Sequence, residues 1–108
     1  MICVLSTNIT SPLSFTTEQN YQAVLSGCSA LKRYEGLWGL PEAFAASLFG
    51  KEQIAALAIE GYTRFESLAI HSIREALSYI SIDIASPRVV FILSTTKGNI
   101  SLDRKSVV

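Results

Sequence analysis

Apolar residues fall along this chain in short blocks, and the blocks differ in period. The first, residues 2–5 (Ile2, Cys3, Val4, Leu5), is unbroken. That is the pattern of a short strand buried on both faces. Residues 7–12 hold turn formers and Pro12 and read as a loop. Thr16 precedes Gln19 by three positions, the spacing of a capping box, and predicts a helix start. Tyr21, Val24 and Leu25 give that helix an apolar stripe, and Gly27 suits the left-handed position that ends it. Residues 34–41, with Gly36, Trp38 and Gly39, read as an ordered loop. A short strand over 44–48 and a short helix over 51–59 follow. Ile54, Leu57 and Ala58 lie on one side of that helix, and Gly61 stops it.

The most regular block comes next. Thr63 and Glu66 repeat the capping-box spacing. Leu68, Ala69, Ser72, Ile73, Ala76, Leu77 and Ile80 then share one helical face, with His71, Arg74, Glu75 and Ser78 opposite. Beyond Ser86 and Pro87, residues 88–94 predict a strand. Val89, Val90, Phe91, Ile92 and Leu93 are consecutive, which fits a central strand covered on both faces. Residues 95–99 read as a polar loop and 99–108 as an irregular tail. The order strand, helices, long helix, strand predicts two parallel strands joined by a right-handed crossover. The expected fold class is therefore α/β, a mostly parallel sheet with a long crossover helix, in a single domain over residues 1–108.

Composition narrows the function classes. Charged residues make up 17% of the 108 positions and apolar ones 49%, against a usual charged share of about 25%. Too few charges are available to cover the outside, so some apolar surface is expected to lie against another chain. Lys plus Arg and Asp plus Glu are 9 each, giving a formal net charge of zero. That argues against nucleic-acid binding, which rests on clustered positive charge. No apolar run approaches the roughly 20 residues of a membrane span. The first residues lack the basic start of a signal peptide. A cytoplasmic protein is expected, with no nucleic-acid or membrane partner.

The chain offers little chemistry. Cys3 and Cys28 lack the spacing of a redox or zinc pair and are expected to be reduced thiols, one in a buried strand and one near a turn. His71 stands alone, with Glu75 one turn on. Two groups make a poor metal site, so a surface histidine beside a carboxylate is expected. No nucleophile elbow is present. Thr95, Thr96, Lys97 and Gly98 have the wrong order for a phosphate loop. The sequons at Asn8 and Asn99 read as chance matches. The basic pairs Lys32-Arg33 and Arg104-Lys105 read as solvated surface. Trp38 is expected to pack its loop down. No pair among the carboxylates demands a shared site. Catalytic, cofactor-binding and metal residues are all read as none, and no cofactor is expected.

Several segments together resemble a known family. An opening strand and a Ser-Pro-Leu loop (Ser11, Pro12, Leu13) lead to Thr16, Thr17 and Glu18 at the head of a helix. That helix ends in Leu25, Ser26, Gly27, Cys28 and Ser29. This order resembles the N-terminal part of the β-ketoacyl-acyl-carrier-protein synthases. The helix over 65–80, Asp83, the strand over 88–95 and the exit through 92–99 are similar to the family's next segments, so the likeness covers roughly residues 1–100. The resemblance implies part of a thiolase-like fold, dimers, and condensation of acyl thioesters with acyl carrier protein as partner of the full-length enzyme. It also implies fatty acid or polyketide biosynthesis as the setting. The family uses a cysteine nucleophile at the start of a buried helix and two histidines. None carries over: Cys3 lies in the opening strand, Cys28 stands where an arginine is common, and His71 is one histidine. An N-terminal fragment, inactive alone, is therefore expected. Two alternatives stay open. One is a non-catalytic accessory module that pairs with itself or another subunit. The other is an unrelated small α/β domain with a site at Trp38 and residues 95–99.

Overall fold

The computed structural model describes residues 1–95. Its elements are helix α1 (Thr17–Leu25), strand β1 (Leu31–Tyr34), a tight turn at Leu37–Gly39, strand β2 (Phe44–Ser47), and helices α2 (Lys51–Leu57) and α3 (Arg64–Ser78).

The helices begin and end where local chemistry satisfies their free backbone groups. The Thr16 hydroxyl accepts from the Gln19 amide at 3.1 Å. The reciprocal arm of that box is missing, because the Gln19 side-chain Oε1 accepts from the Ser14 hydroxyl instead, at 2.8 Å. At the other end Gly27 is left-handed, with φ 79°. The Cys28 amide reaches back to the Ala23 carbonyl and the Gly27 amide to that of Val24, the paired bonds of a Schellman ending. Helix α3 carries the complete box. The Glu66 amide donates to the Thr63 hydroxyl at 3.2 Å, and the Thr63 amide donates to the Glu66 carboxylate at 3.3 Å. Its last carbonyls are also taken. Glu75 accepts from the Ser78 hydroxyl, Leu77 from the Ile80 amide, and Ala76 from the Ser6 hydroxyl far upstream.

The sheet overturns the expected fold class. Among the described residues it has two strands, β1 and β2, paired antiparallel with Leu31 opposite Ser47 and Tyr34 opposite Phe44. Among the described residues there is no mostly parallel sheet and no crossover connection. The long helix is present as α3, but neither segment it would link, 2–5 or 88–94, is a strand. A strand exists only through the ladder it shares with a neighbour, and no described segment pairs with either run. Both runs stand in solvent instead. Val4 is 82% exposed, Val90 81% and Ile92 84%. The irregular tail expected at 99–108 lies outside the described residues.

The interior is correspondingly thin. Leu57 is the one buried large hydrophobic residue among those described, at 7% exposure, where α2 meets α3. Two polar side chains, Asn20 and Ser67, are buried as deeply. The stripe expected to bury α1 faces water, since Tyr21, Val24 and Leu25 are all more than half exposed. The face α1 does bury centres on Asn20.

Candidate functional site

A network of side-chain hydrogen bonds joins the N-terminal loop, α1 and α3 into a polar junction. Asn20 is its hub. Its Nδ2 lies 3.0 Å from the Ile9 carbonyl, 3.0 Å from that of Ser14 and 2.7 Å from that of Thr16. Its Oδ1 accepts from the Ser11 hydroxyl at 2.6 Å. One amide thus shapes the loop from Ile9 to Thr16, supplying the donors that burial would otherwise deny its carbonyls. From the same loop the Asn8 Nδ2 shares its two hydrogens among the Phe15 carbonyl, the Thr10 hydroxyl and the Ser72 hydroxyl of α3, 3.2, 3.0 and 2.9 Å away. Gln53 of α2 donates to the Pro12 carbonyl at 2.9 Å and fastens the loop from the other side.

His71 sits next to this junction. Its ring meets Phe15 edge-on with centroids 5.7 Å apart. It is half-buried, whereas the sequence places it on the exposed face of α3; the N-terminal loop is what covers it. Its Nε2 and the Asn8 Oδ1 are both buried and without a hydrogen-bond partner. Glu75 makes no ion pair with His71 among the described residues. No group of three or more His, Cys, Asp or Glu among the described residues could hold a metal ion.

Cys3 and Cys28 are both free and exposed. This corrects the buried position expected for Cys3, and the reason is the missing strand around it. The sequon at Asn8 is occupied by structure, because the nitrogen a glycan would need makes three contacts. The candidate loop at 95–99 lies, apart from Thr95, outside the described residues, as do the sequon at Asn99 and the pair Arg104-Lys105. Lys32 and Arg33 are exposed on β1, and Arg33 pairs with Glu35 at 3.3 Å. That ion pair is about three-quarters exposed on each side and adds little.

The hairpin carries a feature that spacing did not reveal. Tyr34, Phe44 and Trp38 form a ladder of stacked rings, with centroids 5.7 Å apart in the first step and 5.6 Å in the second. Trp38 is 69% exposed, so it does not pack its loop into an interior as expected. Its φ of 57° makes it the one non-glycine residue with positive φ among those described. A left-handed backbone costs such a residue about 1–2 kcal/mol. An aromatic pair returns about 0.5–1.5 kcal/mol, so the ring contact with Phe44 roughly offsets the strain. Between α2 and α3 lies a cavity of about 150 Å³, lined mainly by Ile54, Leu57, Ala58, Tyr62 and Leu68. Its polar members include Ser67, whose hydroxyl is already engaged by the Ile59 amide at 3.1 Å.

No helix among the described residues is long and apolar enough to cross a membrane. No protein-family model, no curated protein and no solved structure matches the chain.

Proposed function

We propose that the chain is the N-terminal part of a β-ketoacyl-acyl-carrier-protein synthase-like condensing enzyme and performs no condensation by itself. The observation that supports this reading is the order of a Ser-Pro-Leu loop, the Thr16-capped helix α1 ending at Gly27 and the Thr63-capped helix α3; against it stand the two apolar runs, 2–5 and 89–93, which lie mostly exposed where the resemblance requires covered strands. Runs of that kind are stable only when covered, and the rest of the same enzyme is the covering proposed. In this reading the enzyme works in the cytoplasm on acyl groups carried by acyl carrier protein, in fatty acid or polyketide synthesis. The nucleophilic cysteine and both histidines come from the remainder.

Reading the gene beyond the codon for Val108 tests the proposal. A cysteine at the head of an apolar helix, followed by two separated histidines, supports it; a frame lacking them overturns it. A condensation assay on this chain alone should stay at background, and turnover would disprove its inertness.

The solvent-facing stripe of Tyr21, Val24 and Leu25 on α1 favours a second reading, a non-catalytic module that pairs with another copy of itself. Light scattering over a range of concentrations separates the two. A chain that forms a defined dimer, with no downstream catalytic sequence, favours the module.

A further inference from the structure

We propose that the cavity between α2 and α3 binds a small apolar monocarboxylate, its hydrocarbon body held between the helices and its carboxylate against the guanidinium of Arg64. The inference does not depend on the enzyme reading above. The cavity, of about 150 Å³, is walled by Ile54, Leu57 and Ala58 on one side and Leu68 of α3 on the other. An apolar cavity of about that volume accepts a guest the size of benzene. Its lining is graded in depth. Leu57 and Ser67 are buried, whereas Tyr62 and Arg64 are exposed. The floor is therefore closed, and the mouth opens beside Tyr62 and Arg64.

Two polar groups select the ligand. Arg64 and Ser67 lie three positions apart on α3, so they share one face of the helix and line the same wall. The Ser67 hydroxyl accepts from the Ile59 amide and makes no other hydrogen bond among the described residues. Its own hydrogen is left to donate. Arg64 makes no ion pair among the described residues. Of the carboxylates near it in sequence, Glu66 is bonded to the Thr63 amide, and neither Glu66 nor Glu60 lines the cavity. A hydrocarbon pocket with an unpaired guanidinium at its mouth and a hydroxyl donor in its floor complements an anion with an apolar body. Guanidinium can donate to both oxygens of a carboxylate at once, which favours that head group.

The experiment titrates the isotope-labelled full chain with sodium benzoate, with its neutral isostere benzamide and with sodium acetate, and follows backbone amides by NMR. Benzoate should shift the Leu57, Ser67 and Leu68 amides saturably, with a dissociation constant of roughly millimolar order. Benzamide should act on the same amides at least about threefold more weakly. Acetate, which lacks the apolar body, should leave them in place. Arg64→Gln should weaken benzoate about three- to tenfold and leave benzamide unchanged. The exposed position of Arg64 spares the fold, which circular dichroism checks, and the contrast of benzoate with benzamide needs no variant. No saturable shift with benzoate, equal affinity for benzamide, shifts confined to residues outside α2 and α3, or a benzoate affinity unchanged in Arg64→Gln would each overturn the proposal.

Discussion

The Asn8 side chain donates to the Ser72 hydroxyl at 2.9 Å, joining residues 64 positions apart. One turn further along α3, the Ser6 hydroxyl donates to the Ala76 carbonyl at 2.6 Å. The start of the chain is therefore fastened to the long helix by polar contacts, where the sequence suggests an apolar interface. Such contacts are directional. They fix position well but each contributes only about 0.5–1.5 kcal/mol net.

Asn20 should be the most sensitive position in the molecule. Asn20→Ala removes the donors shared by three carbonyls, and Asn20→Asp additionally brings a carboxylate against them. Each change should cost about 1–3 kcal/mol, with aspartate at least as damaging as alanine. Urea unfolding followed by circular dichroism measures this. An Asp variant as stable as the parent would show that the hub is not formed in solution.

The two helix starts should respond unequally. Thr63→Ala breaks a complete capping box and should lower stability by about 1 kcal/mol. Thr16→Ala breaks only one arm, since Gln19 is engaged by Ser14, and should cost less. Amide hydrogen exchange over the first turns of α3 and α1 reads each loss separately.

Trp38 emission in the free chain should lie near that of a water-exposed indole and be readily quenched by acrylamide. Phe44→Ala removes the ring beneath it. That variant should loosen the turn, lowering fluorescence anisotropy while leaving the helical circular dichroism signal in place.

Bare apolar runs should also govern association. Ile92→Lys puts a charge in the middle of 89–93, where Ile92 is 84% exposed. Concentration-dependent light scattering should fall, with helix content unchanged. Unaltered scattering would exonerate the run and point to the stripe on α1.

What the sequence made legible was local. Thr16, Thr63 and Gly27 mark helix ends by chemistry that acts within a few residues, whereas α2 stops at Leu57 with Ala58 as its cap, ahead of the expected stop at Gly61, which is a left-handed turn residue instead. The strand at 44–48 lies where β2 is. Pairing was not legible. Residues 2–5 and 89–93 are apolar enough to demand burial, but that demand names no partner. Strand β1 went unnoticed because Leu31, Lys32, Arg33 and Tyr34 show no alternation; its place comes from pairing with β2. Asn20 was hidden among the polar neighbours Gln19 and Gln22. Its distance of four from the capping Thr16 was the only sign, because a side chain there can reach back to the Thr16 carbonyl.

The thin interior, with Leu57 as its one large hydrophobic member among the described residues, has a thermal consequence. The heat-capacity step of unfolding scales with the hydrocarbon newly wetted, and little here is dry to begin with. Calorimetry of the isolated chain should give a broad, shallow melt with an unusually small step. Its stability curve should be flat across temperature, as befits an architecture arranged around an amide.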